Sequence, residues 1–182
     1  MNMPDSIPAN VIDIRLSEIG QLFNTLDPSP FHERDLDADA EEHIVGWARE
    51  LPSHAGLELR LHLPREEAAK ARERDVGQAV CNYFGARAEW EASELRELFR
   101  RGWHYLPIGL LVLAACLTLS QLVKHTLAEW PLSNVLAEGL VILGWVANWK
   151  PLEIFLYDWW PLKRRRDLYM RLQAAKVDVV ER

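Results

Sequence analysis

The segment richest in side chains that bind metals is HERDLDADAEEH, residues 32–43. It contains two histidines and six carboxylates, and both groups are common metal ligands. The D-x-D-x-D spacing that begins at Asp35 is similar to the start of an EF-hand calcium loop. The sixth position of that loop is Ala40 in place of glycine, however, and the twelfth is Gly46 in place of glutamate. The sequence therefore does not predict an EF-hand.

Two interpretations of this segment remain. If the chain folds back, His32, Asp35 and His43 could bind a transition metal and support a metal-dependent cytoplasmic activity. In the other interpretation, Asp37 is the N-cap of a helix, and the carboxylates that follow it favour the positive end of the helix dipole. We favour the second interpretation and therefore expect no metal and no other cofactor.

A second group of charges interrupts ANWKPLEIFLYDWWPLKRRR, residues 147–166. A lysine at the centre of a bilayer costs about 2.5–3.5 kcal/mol. Lys150 and Glu153 are three residues apart on a helix, so they could pair and line an ion path in an oligomeric transporter or channel. Alternatively, the membrane span ends near Trp149, Lys150 extends to the lipid headgroups and residues 151–162 form an interfacial exit segment. We favour the second alternative.

No motif of an enzyme is present in the sequence. It contains no G-x-S-x-G, H-E-x-x-H, Walker A or dinucleotide-binding motif. Its two cysteines, Cys81 and Cys116, form no C-x-x-C pair and are expected to be inert packing residues. We therefore predict no catalytic residue and do not expect an enzyme.

Two apolar segments could cross a membrane. Residues 105–123 contain no charge over nineteen positions, which at helical rise is about 28 Å, close to the hydrocarbon thickness of a bilayer. Pro107 is expected in the first turn of this helix, where the missing N–H costs little. A second span covers residues 132–149, or residues 135–157 if it includes Lys150 and Glu153.

Basic residues predict the orientation of the spans. They flank both segments, whereas the loop between the segments contributes only Lys124. The positive-inside rule then places both termini in the cytoplasm. We expect the flanking basic residues to contact headgroups rather than nucleic acid, because adjacency to a span already accounts for them. These residues are Arg100, Arg101, Lys163, Arg164, Arg165 and Arg166.

The charged remainder of the chain predicts a small cytoplasmic α+β domain. Residues 11–16 and 57–63 alternate apolar and polar side chains, as half-buried strands do, and residues 177–180 repeat the pattern as a third strand that pairs with them. Helices are predicted over residues 19–26, after Asp37, and from residue 64, where Gly85 could bend or divide the helix. The fold class is α+β with a two-helix transmembrane hairpin.

The expected domain organisation has five parts. They are a disordered N-terminus over 1–10, a cytoplasmic α+β module over 11–63, a helical stalk over 64–101, the transmembrane hairpin with its interfacial exit segment over 102–162, and a cytoplasmic basic helix with a strand over 163–182.

Three sequence stretches resemble uncharacterised bacterial two-pass inner-membrane proteins. They are SPFHERDLDADAEE, LFRRG and EGLVILGWVANWKPLEIFLYDWWPLKRRR. The resemblance covers most of the chain and implies a location in the bacterial inner membrane, but no activity. From topology and composition we expect a membrane-anchored interaction module or accessory subunit. Its partners would be the lipid bilayer and either a second copy of the chain or a partner membrane protein.

Overall fold

The computed structural model describes residues 10–52 and 56–182, with every side chain in these ranges except that of His32. The chain divides into two compact units. The first consists of Met1–Glu91 and Arg164–Arg182, and the second of Ala92–Lys163.

A three-stranded parallel sheet forms the centre of the first unit. The strands are β1 (Val11–Arg15), β2 (Glu58–Leu63) and β3 (Lys176–Glu181), with β2 in the middle. β3 pairs with β2 over its whole length, from Lys176 opposite Glu58 to Glu181 opposite Leu63. The predicted C-terminal strand is thereby confirmed, and it completes a sheet that two strands alone would leave marginal.

One face of the sheet is apolar because side chains alternate along each strand. Leu59, Leu61 and Leu63 of β2 are buried, and Phe84 of a long helix is among the largest fully buried side chains with them. Burying one such side chain stabilises the fold by about 1.5–3 kcal/mol. The opposite face carries polar side chains, and Nε2 of His62 lies 2.8 Å from Oδ1 of Asp13 in a hydrogen bond.

Two short helices pack in this unit. α1 (Ala38–Glu50) begins after Asp37, whose carboxylate accepts a hydrogen bond from the amide of Asp39 at 3.0 Å, so the predicted N-cap is confirmed. α2 covers Arg65–Glu73. The helical spacing of Ala40, Ile44, Trp47, Ala48 and Leu51 predicts one apolar face on α1. This prediction was wrong at Trp47, which is 51% exposed, while Val45 is buried.

The predicted helix over residues 19–26 was wrong. Between β1 and α1 the helical structure consists of two single 3₁₀ turns, at Ile19–Gln21 and Phe31–Glu33. Leu22 and Phe23 are buried as expected, but Leu26 is 90% exposed. Four apolar residues at helical spacing are too few to select a helix over local turns that bury three of them.

The helical region after β2 is divided at Asp75 rather than at Gly85. Asp75 has a φ of 48°, a left-handed conformation that aspartate tolerates better than most residues. Its carboxylate accepts a hydrogen bond from the amide of Gln78 at 3.3 Å, near the start of α3 (Val76–Thr126). α3 then continues without interruption for 51 residues, as the predicted stalk running into the first apolar segment requires.

The second unit contains a helical hairpin. After α3 the chain turns and forms α4 (Ser133–Ala147), α5 (Trp149–Glu153), a π-helix (Ile154–Asp158) and the start of α6 (Trp159–Gln173). Both arms contain helices long and apolar enough to cross a membrane by length and composition. The expected position of Pro107 was wrong, because Pro107 lies deep inside α3 and not in a first turn.

Candidate functional site

A buried asparagine joins the two arms of the hairpin. Asn148 lies in the single-residue break between α4 and α5, and it is only 6% exposed. Its Nδ2 donates hydrogen bonds to the carbonyl oxygens of Gly109 on α3 and Gly144 on α4, both at 3.0 Å. An amide buried among apolar side chains is stable only when such bonds are made, so Asn148 requires the two arms to meet at this level.

Small residues allow the close approach that these bonds need. A Cβ at Gly109 would lie 2.8 Å from Oδ1 of Asn148, and one at Gly144 would lie 2.9 Å from Cδ1 of Leu113. Farther along the hairpin, the hydroxyl of Ser120 donates to the carbonyl oxygen of Ala137 at 2.9 Å. Small residues together with interhelical hydrogen bonds are typical of helix contacts inside membranes.

The same contacts fix the register of the charged residues after Asn148. Residues later in α3 meet residues earlier in the second arm, so the arms are antiparallel. Gly102 approaches Ile154 and Phe155, while Gly109 meets Asn148. Lys150 follows Asn148 by two residues and therefore lies level with Pro107, near one end of the uncharged run of α3. The register places Lys150 toward the boundary of the apolar zone rather than at its centre.

Lys150 is the centre of a group that we term the charge triad, consisting of Lys150, Glu153 and Asp158. Nζ of Lys150 lies 3.0 Å from Oε2 of Glu153 and 3.6 Å from Oδ2 of Asp158. The predicted pairing of Lys150 with Glu153 is confirmed, whereas Asp158, the last residue of the π-helix, is an addition. Lys150 is 60% exposed, so the triad lies on the outside of the hairpin.

The break in the second arm has a physical cause. Pro151 lacks an amide hydrogen and is placed in the first turn of α5, where no helical partner is needed.

After it, Phe155 and Trp159 pack around Phe99 of α3, with ring centroids 6.2 and 6.5 Å from the Phe99 centroid. The predicted exit segment, residues 151–162, is thus helical and packed along α3.

The first unit holds a separate polar group that we term the carboxylate network. Glu41 of α1 accepts hydrogen bonds from the hydroxyl of Tyr83 at 2.7 Å and from that of Tyr169 at 3.1 Å. Arg87 adds hydrogen bonds at 3.1 and 3.3 Å to the same carboxylate. Its guanidinium also lies over the rings of Tyr169 and Trp90, each 5.8 Å away. The network joins α1 to α3 and α6.

Burial and the nearby carboxylate act together on the tyrosines of this network. Burial first, and then the hydrogen bond to Glu41, raises the pKa of Tyr83 well above its ordinary value. Burial and the negative charge of Glu41 also raise the pKa of Tyr169. Both phenols therefore stay protonated and donate to Glu41. The arrangement fixes three helices and offers no free nucleophile or base.

A second buried carboxylate, Glu91, was not identified from the sequence. It lies one turn after Arg87 on α3 and is 3% exposed. Its Oε2 has no hydrogen-bond partner in the described part of the chain. A lone glutamate in a charged helical stretch looks solvent-exposed in sequence, so no local signal could have found it.

Two of the three residues proposed as metal ligands, Asp35 and His43, make contacts that do not involve one another. The amide of Asp35 donates to Asp27, and the ring of His43 lies 6.1 Å from that of Trp47. Among the described residues, no group of three or more His, Cys, Asp or Glu could hold a metal ion. The side chain of His32 lies outside those residues.

The six basic residues predicted to contact headgroups have different surroundings. Arg100 and Arg101 both pair with Glu97, and Arg166 pairs with Asp167. Nζ of Lys163 lies 5.6 Å from the ring centroid of Trp159. The remaining two, Arg164 and Arg165, are exposed and have no side-chain partner among the described residues.

Comparison with known proteins adds no relative. No protein family, no curated protein and no solved structure matches the chain.

Proposed function

We propose that the chain is a two-pass membrane protein that holds an α+β interaction module, or accessory subunit, at the cytoplasmic face of a bacterial inner membrane. The resemblance noted from the sequence supports the location. The structure contributes the physical support for anchoring and for the two-pass topology.

The observation that carries the proposal is the outward direction of the apolar side chains in the hairpin. In the most apolar 18-residue stretch of α3, only 22% of the residues are buried by the rest of the structure. Large apolar side chains that are more than half exposed occur along both arms; examples are Ile108, Leu111, Leu122, Val135, Ile142, Leu143, Trp145 and Val146. Water strongly opposes a surface of this kind and extent, whereas bilayer hydrocarbon accommodates it at no cost.

The sheet supports an even number of crossings. β2 precedes both apolar segments and pairs with β3, which follows both of them. A folded sheet cannot be divided by a bilayer, so β1, β2 and β3 are on one side. If either apolar segment crosses the membrane, the other must return. The basic residues beside this unit then favour the cytoplasm as its side.

The level of the charge triad agrees with this topology. With residues 105–123 in the hydrocarbon, Lys150 lies level with Pro107, near the start of that run and within about one helical turn of the levels of Trp103 and Tyr105 on α3. Aromatic and charged side chains at this level meet lipid headgroups rather than acyl chains. The two arms approach each other closely at Gly109, Gly144 and Asn148. This close packing favours an anchoring role over an ion path through one hairpin.

Single-cysteine labelling tests the topology in the full chain. In a Cys81→Ala, Cys116→Ala background, cysteines replace Glu50, Ala128 and Arg182 one at a time, and a membrane-impermeant maleimide is applied to spheroplasts. We expect labelling at position 128 in intact spheroplasts and labelling at 50 and 182 only after permeabilisation. Recovery of the protein in the soluble fraction, or labelling of 50 and 182 from opposite sides, would refute the proposal.

Cross-linking in native membranes tests the role as an interaction module. A photoreactive amino acid replaces Trp47, an exposed aromatic residue of α1, or Leu143, an outward residue of α4. We expect a discrete cross-linked protein from at least one position. Lipid adducts alone at 143, together with no product at 47, would contradict a partner-binding role while leaving membrane anchoring intact.

A further inference from the structure

The basic residues near the membrane differ in how much of their charge is already neutralised. Arg100 and Arg101 share one carboxylate, that of Glu97, through contacts at i,i+3 and i,i+4 on α3. Nε of Arg101 lies 3.1 Å from Oε1 of Glu97, while Arg100 approaches Oε2. One negative charge therefore serves both guanidinium groups and occupies part of their hydrogen-bonding capacity.

Arg166 is paired as well. Its Nε and Nη2 donate to the same oxygen of Asp167, at 3.1 and 2.7 Å. The arginine side chain is only 30% exposed, and the pair lies at the surface of α6 in the first unit. This guanidinium is less available to an incoming anion than an exposed and unpaired one.

Arg164 and Arg165 contrast with these three residues. Both are exposed on α6, and within the described ranges neither side chain has a hydrogen bond, an ion pair or a cation–π contact. Each guanidinium presents five N–H donors in a planar fork that matches the oxygens of a phosphate. They follow directly after the segment that packs beside the membrane-proximal part of α3.

We infer that Arg164 and Arg165 form the binding site for the phosphate of an anionic phospholipid, while Arg100, Arg101 and Arg166 contribute less because their own carboxylates compete. This inference rests on the proposed membrane location. It adds the chemical class of the lipid, a phosphodiester of net negative charge, and assigns the site to two of the five arginines beside the apolar segments.

Matched charge removal tests the assignment. The full-length protein in a neutral detergent is titrated with phosphatidylglycerol, and bound lipid is counted by native mass spectrometry. Arg164→Gln, Arg165→Gln removes two positive charges, and we expect affinity to fall about 10- to 30-fold, since each arginine contributes on the order of 1 kcal/mol. Arg100→Gln, Arg101→Gln removes the same charge and should weaken binding by less than about threefold.

Releasing the competing pairs provides an opposite test. Glu97→Gln leaves Arg100 and Arg101 unpaired, so we expect tighter phosphatidylglycerol binding than in the wild type. Phosphatidylcholine and inorganic phosphate serve as the comparison ligands. At the same concentrations, the binding of neither should decrease when Arg164 and Arg165 are replaced. Circular dichroism checks that each variant retains its helical content.

Two outcomes would overturn the inference. One is an equal loss of affinity in the two double variants, which would indicate a diffuse effect of net charge. The other is unchanged binding in Arg164→Gln, Arg165→Gln. If the wild-type protein is found in the soluble fraction of cells, the membrane proposal itself fails. If it stays in the membrane fraction and only the lipid titration fails, this inference alone is wrong.

Discussion

The side-chain amide of Asn148 donates a hydrogen bond of 3.0 Å to the carbonyl oxygen of Gly109, across the two arms of the hairpin. A second bond from the same nitrogen reaches Gly144 within its own arm. The bonds set the register of the arms, and through it the level of Lys150. Asn148, which is uncharged, thereby places the charge triad near the end of the apolar zone.

Replacing Asn148 should loosen the hairpin. We expect Asn148→Leu to lower the free energy of unfolding by about 1–2 kcal/mol, because interhelical hydrogen bonds in membranes contribute on this scale and the carbonyl oxygen of Gly109 loses its donor. Reversible unfolding in mixed micelles measures the change. Asn134→Leu, at an exposed position of α4, should change stability little. Equal effects of the two substitutions would contradict the assigned role.

Two glycines of α4, Gly144 and Gly139, have different surroundings and therefore serve as a test position and its control. A Cβ at Gly144 would lie 2.9 Å from Cδ1 of Leu113 and 3.1 Å from Cβ of Cys116, whereas among the described residues nothing lies within 4 Å of a Cβ at Gly139. We expect Gly144→Ala to destabilise the hairpin by about 1–3 kcal/mol. Gly139→Ala should be neutral or stabilise by up to about 1 kcal/mol, since alanine favours helix. The same unfolding assay distinguishes them.

The carboxylate of Glu41 should contribute more to the stability of the fold than that of its neighbour Glu42. Glu41→Ala leaves two phenols and one guanidinium without their acceptor, and we expect a loss of about 2 kcal/mol, moderated by the partial exposure of Arg87. Glu41→Gln keeps an acceptor and should cost less. Glu42→Ala, at an exposed position, should change stability by less than about 0.5 kcal/mol. A similar loss in both alanine variants would show that the network adds little.

Alkaline pH should weaken the fold through Tyr83. Burial raises the pKa of Tyr83 in the folded state, so the protonated phenol is favoured by folding. The stabilisation is complete below the ordinary tyrosine pKa of about 10 and decreases as pH rises above it. We expect Tyr83→Phe to lose less stability than the wild type between about pH 9 and pH 11. An equal loss of stability in Tyr83→Phe and in the wild type over this range would contradict the prediction.

Lys150 should contribute little to stability if it lies at the headgroups. Its side chain is more than half exposed, and exposed ion pairs contribute about 0–1 kcal/mol. We therefore expect Lys150→Ala and Glu153→Ala to insert normally and to change unfolding by less than about 1 kcal/mol. We also expect no ion flux above protein-free liposomes for either the wild type or the variants. Flux that disappears with Lys150 would favour an oligomeric ion path instead.

Much of the fold follows from local patterns in the sequence. Period-two alternation indicated all three strands, including the C-terminal one, and Asp37 was identified as a cap from its type and its neighbours. The pairing of Lys150 with Glu153 followed from helical spacing alone. Local prediction was wrong at Leu26, Trp47 and Pro107, where packing decides which apolar residues are covered and how far a helix continues.

The long-range polar contacts could not be predicted in this way. Glu41 and Tyr169 are separated by 128 residues, and Asn148 and Gly109 by 39. No periodicity connects such positions, because their distance depends on how entire helices pack. The π-helix that ends at Asp158 could not be predicted locally either, because such helices are rare and its Phe155 packs against Phe99 and Trp103 of α3.

The sequence by itself determined the local elements of this protein: two apolar helices of bilayer length, a charged α+β portion and basic residues beside the apolar segments. These follow from hydrophobicity, charge and periodicity along the chain. Only the tertiary structure decided that β2 is the middle strand, that Asn148 sets the level of Lys150, and that the side chains of Arg164 and Arg165 have no partner among the described residues. Each of these depends on which distant groups meet, and burial and hydrogen bonding select those contacts only when the whole chain has folded.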